Sequence, residues 1–341
     1  MKKVWIAMVC MLCVLALGAG VVGCSKVSNT HIEDKPVDKP VETAEATPAP
    51  AVDETLEEVE GTPDDLGEVY DEAGDAETEP QSIYKVVPID ENVINILLIG
   101  QNKGLDWEKA KATDSYVLVS YNREKQSVKM LSIMRDTWVN IEGHGWNRLS
   151  AAYTYGGPGL LINTINELYG LDIQNYALIG MEEFTACIDK LGGIEMELTK
   201  EEVKFINKKL KTDLKEGANH LTGEMALTHA LNNTTKNGDF DRTARLKNVI
   251  ETSYKKLRTE GDLTAYLGFV QYGLENIRTN MDLDKVITLS MEVLQADKLE
   301  TAYAHAPFDG AWKYAKKNGR SVISVDIEEN KKQIQQFLYG E

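Results

Sequence analysis

The sequence predicts an α/β fold: a single globular domain over residues 86–341, built as a mixed central β-sheet flanked by helices. Strand-like and helix-like stretches alternate from residue 93 onward without an internal repeat, which is the pattern of one mixed α/β domain. With 341 residues, 43% of them hydrophobic, the chain can bury a large core. The two segments before residue 86 differ sharply in composition and are predicted to lie outside this domain.

Residues 1–24 are predicted to be a lipoprotein signal or membrane anchor. Met1-Lys2-Lys3 precede an uncharged apolar run over residues 4–22, which is the pattern of a secretory signal. Its end, Val21-Val22-Gly23-Cys24, is similar to the lipobox of bacterial lipoproteins, in which the cysteine thiol takes the lipid. The alternative is an uncleaved transmembrane helix, because the run approaches the ~20 residues that span a bilayer. Both alternatives place the following chain on the extracytoplasmic face of the membrane.

Residues 25–85 are predicted to form an acidic, Pro-rich, disordered tether. Residues 25–81 hold eighteen acidic residues against three lysines, with few large apolar side chains. Such a segment cannot bury a core and should stay extended. It carries most of the net charge of -17, so the domain that follows is only weakly acidic. Because no clustered Lys/Arg face stands out, we expect no nucleic acid partner.

Three apolar strands are predicted to open the domain, at residues 93–100, 114–121 and 128–134. The polar segment Asn122-Arg123-Glu124-Lys125 predicts a hairpin turn between the second and the third. The third strand ends at Arg135-Asp136, an opposite-charge pair that is costly to bury without partners. Either the pair reaches solvent or it serves a polar site, since ligands of α/β sheets lie beyond the carboxyl ends of strands.

The rest of the chain is predicted to alternate between helices and short strands. Pro158 suits the first turn of a helix, after a break at Gly156-Gly157, and amphipathic spacing marks the other helices. We predict helices at residues 149–155, 158–168, 181–191, 200–210, 222–231, 242–257, 262–278, 283–294 and from 327 onward. We predict strands at residues 176–179, 194–198, 299–305 and 322–325.

Several common kinds of site are excluded by the sequence. Only Cys187 of the four cysteines falls within the domain, so neither a disulfide framework nor a Cys-type zinc site can form, and we expect Cys187 to be buried. The five histidines are scattered without ligand spacing, and the HExxH, GxSxG and Walker motifs do not occur.

Acidic residues and arginines gather at the predicted ends of elements. Asp114 opens a strand that should pair with the strand ending at Arg135-Asp136. Arg242 and Arg245 are spaced i, i+3 at the start of a helix, and Asp239 precedes them in a polar loop. Helix N-termini and guanidinium groups both bind phosphate oxygens, and nearby carboxylates suit Mg²⁺. The combination predicts a phosphate site.

At these residues the sequence resembles the LytR-CpsA-Psr (LCP) family. The resemblance covers roughly residues 90–260, with the motifs in the family's order. The matching stretches are Asn95-Ile96-Leu97-Leu98-Ile99-Gly100, Thr113-Asp114-Ser115, Leu131-Ser132-Ile133-Met134-Arg135-Asp136-Thr137, Leu149-Ser150-Ala151-Ala152-Tyr153-Thr154-Tyr155-Gly156-Gly157, Leu191-Gly192-Gly193-Ile194, Leu221-Thr222-Gly223-Glu224-Met225-Ala226-Leu227 and Gly238-Asp239-Phe240-Asp241-Arg242.

The resemblance implies an activity. LCP proteins transfer a glycopolymer from a polyprenyl-pyrophosphate carrier onto peptidoglycan with Mg²⁺, and the lipid tail occupies an apolar cavity between sheet and helices. When the family's functional residues are carried over to this sequence, Asp114 resembles the metal-ligand or catalytic acid. Arg135 resembles the pyrophosphate-binding arginine, and Asp136 resembles the acid beside it. Asp239 and Arg242 resemble the second charged cluster, which Arg245 is expected to join. The resemblance thus implies that Asp114, Arg135 and Asp136 are catalytic.

Four positions depart from the family pattern. Cations are replaced by Ala112, Leu231 and Asn233, and a carboxylate by Asn102. Each buried charged hydrogen bond contributes roughly 1.5–3 kcal/mol, so these losses weaken a pyrophosphate site. The neighbours that could substitute are Lys103, Lys109, Lys111, Arg148 and Lys236. Two functions therefore remain open: a divergent LCP transferase, or a non-catalytic relative that binds polyprenyl-pyrophosphate lipids or cell-wall polymer.

Overall fold

The computed structural model describes residues 57–58, 81–101, 113–232, 234, 239–260, 272, 276–296, 299–317 and 319–340. The strands are β1 (Glu57–Glu58), β2 (Val93–Gln101), β3 (Thr113–Asn122), β4 (Ser127–Ile133), β5 (Trp138–Ile141), β6 (Gly145–Arg148), β7 (Asn175–Gly180), β8 (Ile194–Leu198), β9 (Gly217–Leu221), β10 (Arg278–Thr279), β11 (Glu300–Ala306), β12 (Trp312–Lys317) and β13 (Arg320–Val325). The helices are α1 (Leu149–Tyr169), α2 (Met181–Lys190), α3 (Lys200–Leu210), α4 (Gly223–Ala230), α5 (Asp239–Glu260), α6 (Leu283–Gln295) and α7 (Ile327–Tyr339).

The centre of the domain is a six-stranded sheet with the order β10-β7-β2-β3-β4-β11. β3 pairs antiparallel with both β2 and β4, whereas β7 and β11 pair parallel with β2 and β4. The sheet is therefore mixed, with helices on both faces, as the sequence predicts. The carboxyl ends of β2, β4, β7 and β11 meet at one edge, where ligands of such sheets bind.

Successive residues of the strands feed two separate cores, because side chains alternate between the faces of a sheet. Leu98, Val117 and Met130 pack against α2, α5 and α6, while Leu97, Leu118 and Leu131 pack against α1 and α7. Cys187 lies buried in the first of these cores, as expected. The sheet, including the edge where the carboxyl ends of β2, β4, β7 and β11 meet, is thus supported from both faces by packed helices.

Several elements differ from those predicted. The helix predicted from residue 242 begins at Asp239, so Asp239 lies in its first turn and not in the preceding loop. Of the helix predicted over residues 262–278, residues 262–271 and 273–275 lie outside the described ones, and Arg278 begins β10. The short strands β1, β9, β10 and β12 were not predicted, nor was the hairpin formed by β5 and β6. That hairpin turns at Gly143 and Gly145, whose φ values of 75° and 73° favour glycine. The predicted break at Gly156-Gly157 is confirmed as two non-helical residues within α1.

The chain enters the domain along α1. The Gln81 N–H donates to the Gly156 carbonyl at 3.1 Å, and the Tyr84 N–H donates to Asn163 Oδ1 at 2.9 Å. Gly159 permits this approach, because a Cβ there would overlap the Gln81 carbonyl. Residues 81–85, assigned to the tether from composition, therefore lie against the domain. Residues 1–24 fall outside the described ones, and within the described helices none combines the length and apolarity of a membrane span.

Candidate functional site

Asp114 lies at an irregularity where β2 and β3 meet the sheet edge. Gly100 pairs with Ser115 but Gln101 pairs with Thr113, so Asp114 is the extra residue of a β-bulge. Bulges are frequent next to active sites, where they redirect a side chain. Tyr116 pairs with Ile133, the last residue of β4, so in this antiparallel pair Asp114 and Arg135 each lie two residues beyond that position at the same end. The backbone therefore brings these two predicted residues to one edge, although the Asp114 side chain lies outside the described atoms.

The Arg135-Asp136 pair just beyond β4 is held by its backbone on several sides. The Met134 N–H donates to the Ala306 carbonyl at 2.9 Å, and the Ile323 N–H donates to the Asp136 carbonyl at 3.0 Å. The Ser150 N–H donates to the Arg135 carbonyl at 3.0 Å, which ties the pair to the first turn of α1. The pair is thus fixed between β11, β13 and α1.

The side chain of Asp136 is buried between two arginines. Arg148 Nη1 lies 3.2 Å from one carboxylate oxygen and Arg135 Nε 3.6 Å from the other. The second guanidinium nitrogen of Arg148 donates to the Ser321 carbonyl at 2.6 Å. A buried carboxylate needs such compensation. Arg135 keeps 17% of its side chain exposed, so Asp136 orients a guanidinium that is still accessible to an anion.

Arg242 lies in the first turn of α5, is nearly buried, and lines an apolar cavity. The cavity has a volume of about 120 Å³ and lies between the sheet and α2, α4 and α5. Its walls include Leu98, Phe184, Leu191 and Leu246. The resemblance implies an apolar cavity between sheet and helices; the arginine among the described residues that line this one is Arg242, and Arg135 does not line it. The reason is that the Arg135 side chain lies against Asp136.

The polar part of the cavity lining was not predicted. Ser115 and Thr243 contribute hydroxyl groups, and Gln101 contributes a buried carboxamide. Gln101 Nε2 donates to the hydroxyl of Tyr153, whereas its Oε1 has no hydrogen-bond partner among the described residues. An orphaned buried oxygen costs about 1–3 kcal/mol and commonly marks a place for water, an ion or a ligand. Gln101 pairs with Thr113, next to the bulge that contains Asp114, so this oxygen lies at the same edge of the sheet as Asp114.

Arg245 is not among the described residues that line the cavity, although the charge of Arg242 is near enough to lower its pKa. Its guanidinium donates to the Asn232 carbonyl and lies 3.9 Å from Glu202 Oε1. Burial lowers the pKa of Arg245, while Glu202 and Asp241 oppose that change. Asn232 Oδ1 in turn accepts hydrogen bonds from the N–H and hydroxyl of Thr234. Arg245 thus holds the start of the segment that leads to Asp239, whose own side chain is not among the described atoms.

His229 lies next to Glu202, the same carboxylate that Arg245 approaches, and sequence spacing could not reveal this. Its Nδ1 lies 3.9 Å from the same Glu202 oxygen, and the ring is almost fully buried. Burial lowers the pKa of His229 to about 4, with Arg245 adding to the decrease and Glu202 opposing it. His229 is therefore neutral near pH 7.

A larger cleft of about 680 Å³ lies beside α1, on the other face of the sheet. Its lining includes Glu142 and Glu167, together with Tyr84 and Asn163. Because its described charged side chains are carboxylates, this cleft does not suit a pyrophosphate. Of the departures from the family pattern, Leu231 adds apolar surface to the smaller cavity, while Asn102, Ala112 and Asn233 lie outside the described residues.

Comparison with known proteins confirms the resemblance. The LytR_cpsA_psr family model matches residues 67–337. The chain is 28% identical over 273 residues to the polyisoprenyl-teichoic acid–peptidoglycan teichoic acid transferase TagT of Bacillus subtilis, covering 76% of this chain and 81% of TagT. It is 30% identical over 228 residues to the corresponding transferase TagU of Oceanobacillus iheyensis, covering 63% of this chain and 66% of TagU.

The fold is also similar to solved structures. One is the LytR-CPS2A-psr family protein YwtF (TagT) with bound octaprenyl pyrophosphate lipid, at a TM-score of 0.58 and 23% identity. That similarity covers 76% of this chain and 96% of the other. The mixed sheet with flanking helices is therefore the fold of these proteins.

Proposed function

The chain belongs to the LytR_cpsA_psr family, and on that premise we propose that it transfers a glycopolymer from a polyprenyl-pyrophosphate carrier to peptidoglycan. The observation that carries the proposal is the apolar cavity lined in part by the nearly buried Arg242. An apolar chamber lined by a nearly buried cation suits a hydrocarbon that ends in phosphate. At about 120 Å³ the chamber holds a group of roughly benzene size, so a longer polyprenyl chain requires the helices to move away from the sheet. The relatives named as teichoic acid transferases support the same reaction class.

In this proposal the lipid chain enters the cavity and the pyrophosphate stays at the sheet edge. Burial of apolar surface contributes roughly 25 cal/mol per Å², so the hydrocarbon supplies much of the binding free energy. Arg242 and Arg135 neutralise the phosphate oxygens, and charge-assisted bonds of this kind are about twice as strong as neutral ones. Asp136 keeps Arg135 oriented, since its carboxylate lies 3.6 Å from Arg135 Nε.

The reaction is a phosphoryl transfer. A hydroxyl of the acceptor glycan attacks the phosphorus that bears the glycopolymer, and its proton passes to a carboxylate of the site. The bridging P–O bond breaks and polyprenyl phosphate leaves. Such reactions depend on positioning and charge neutralisation more than on covalent work by the protein. We assign the neutralising role to Arg135 and Arg242, and the carboxylate roles to Asp114 and Asp239.

We propose Mg²⁺ as the cofactor, which would supply further neutralisation of the phosphates. Mg²⁺ is usually held by one or two protein oxygens plus substrate phosphates, so a large ligand cluster is not required. Within the described residues no three His, Cys, Asp or Glu side chains form a metal-binding group. The orphaned Oε1 of Gln101, across the bulge from Asp114, is an oxygen that suits a hard cation.

A second candidate function, carrier or polymer binding without turnover, is favoured by Leu231. This position resembles one that carries an arginine in the family, yet here its side chain lines the cavity. The loss of a cation next to the phosphates slows transfer more than it weakens binding of the hydrocarbon. The two functions therefore differ in turnover and share the binding site.

We further propose that the domain works on the extracytoplasmic face of the bacterial membrane, anchored through a lipid on Cys24. The positively charged start, the apolar run and the similarity of Val21-Val22-Gly23-Cys24 to a lipobox support this. An uncleaved N-terminal helix is the alternative anchor. Mass measurement of the native N-terminus separates the two, since lipidation requires a chain that begins at Cys24.

A turnover assay tests the proposed transfer. The full chain in detergent is incubated with Mg²⁺, a polyprenyl-pyrophosphate-linked glycan and a peptidoglycan fragment, and released polyprenyl phosphate is measured. We expect release, and we expect Arg242→Met to abolish it. Arg123→Met is the matched control, because Arg123 lies on the β3–β4 turn and pairs with Glu292 at 2.8 Å. Retained lipid binding without any release would replace transfer by the binding function.

A further inference from the structure

Four aromatic side chains form a continuous cluster beside the start of α5. The Phe240 ring stacks on Trp312 with centroids 4.8 Å apart and meets His305 edge-on at 5.0 Å. Trp312 in turn meets Tyr314 edge-on at 5.0 Å. We call Phe240, His305, Trp312 and Tyr314 the aromatic cluster. All four residues are half-buried.

The aromatic cluster lies directly beside Arg135-Asp136. On one side, the Met134 N–H bonds to the carbonyl of Ala306, the residue after His305. On the other, the Asp136 carbonyl accepts from Ile323 on β13, and Trp312 pairs with Val325 two residues further along that strand. The pyrophosphate end of the proposed site therefore lies between β11, which carries His305, and β13, whose partner strand β12 carries Trp312 and Tyr314.

The cluster and the cavity lie on opposite sides of the α5 N-terminus. Phe240 and Arg242 are two positions apart on a helix of 3.6 residues per turn, so their side chains point nearly opposite ways. Arg242 lines the cavity, whereas Phe240 contacts β11 and β12. Across the start of α5 the order is apolar cavity, Arg242, aromatic cluster. A glycan carrier has the matching order of hydrocarbon, pyrophosphate, sugar.

We propose that the aromatic cluster is the subsite for the first pyranose sugar of the carrier-linked glycopolymer; this rests on the proposed function. One face of a pyranose presents C–H groups, which are attracted to the negative face of an aromatic ring. Polar groups for the sugar hydroxyls stand next to the rings. His305 Nδ1 bonds to the Pro307 carbonyl at 2.8 Å, and its Nε2 lies 3.8 Å from the exposed carboxylate of Asp309.

Comparison of two carriers tests this subsite. Binding to the full chain in detergent is measured by calorimetry for bare octaprenyl pyrophosphate and for the same lipid bearing one N-acetylhexosamine. For Trp312→Ala we expect roughly tenfold weaker binding of the sugar-bearing lipid, which corresponds to about 1.4 kcal/mol. Binding of the bare lipid should change by less than about twofold. Trp312→Phe should restore most of the loss, because a ring remains.

Two controls keep the result interpretable. Trp146→Ala removes a half-buried tryptophan on β6 that packs against the small core of Trp138, Ala315 and Val322, and it should leave the ratio of the two affinities unchanged. Both affinities are measured on the same preparation of each variant. An unfolded fraction therefore affects both measurements equally and leaves their ratio unchanged. Equal weakening of both lipids by Trp312→Ala, or no change in either, would overturn the subsite and leave the proposed function standing. A wild-type chain that binds neither lipid would overturn both.

Discussion

Replacement of Arg148 by methionine is expected to destabilise the domain strongly, because it removes the cation 3.2 Å from the buried Asp136 carboxylate. The two side chains are only 9% and 5% exposed, so solvent screens their attraction weakly. Breaking a buried ion pair by removing one partner costs about 3–5 kcal/mol. In a domain of this size about 1 kcal/mol lowers the Tm by roughly 2–4 °C, so the Tm should fall by ~10 °C.

The assay is a double-mutant cycle on the free energy of unfolding in urea, with Asp136→Asn, Arg148→Met and the double variant. We expect the double variant to be less destabilised than the sum of the singles, by ~2 kcal/mol. The exposed pair Arg123 and Glu292 serves as the control and should couple by less than about 1 kcal/mol. Additive single effects, within ~0.5 kcal/mol, would refute the role given to Arg148.

Three further predictions concern the two arginines of α5, the buried His229 and the apolar cavity. Arg242→Met should weaken binding of bare octaprenyl pyrophosphate, measured by calorimetry, at least tenfold. Arg245→Met should mainly lower the free energy of unfolding, because the partners of Arg245 are protein groups. The reverse pattern would exchange the roles of the two arginines. The pKa of His229 is lowered to about 4, so its neutral form stabilises the fold above pH ~6.5, and this stabilisation is lost as pH falls toward 4. His229→Gln should reduce that loss in urea unfolding measured at pH 7.5 and pH 4.5, and an unchanged pH dependence would contradict the assignment. Ala230→Trp, which fills the cavity, should abolish carrier binding while the circular dichroism stays native, and unchanged binding would place the lipid elsewhere.

The elements that could be predicted from the sequence are those with strong local patterns. β4 is predicted because apolar residues predominate over residues 128–134, interrupted only by Lys129 and Ser132, and a charged doublet follows; its burial in the sheet agrees. The start of α5 was missed because residues 232–239 are rich in Asn, Thr and Gly, which favour turns, while Asp239 already has helical geometry. The β5–β6 hairpin was missed because its strands are only four residues long.

The site was predicted only as far as local spacing allows. Arg135, Asp136 and Arg242 stand at element ends, and topology brings those ends to one sheet edge. The position of Arg245 was not predictable, because it depends on Glu202, 43 positions earlier in the chain. Helical spacing says which residues are neighbours on one helix, but not which other helix each of them meets. The same limit applied to Gln101, whose partner Tyr153 lies in α1.

The most direct test of the central claim is to locate the carrier lipid by crosslinking. A polyprenyl pyrophosphate with a photoreactive group near the end of its hydrocarbon is bound to the full chain, irradiated, and its attachment sites are mapped by mass spectrometry. We predict attachment to cavity walls such as Phe184, Leu191 and Leu246, prevented by excess unmodified octaprenyl pyrophosphate. Attachment instead around Tyr84 and Leu160 in the cleft beside α1, or labelling that excess lipid does not reduce, would contradict the account.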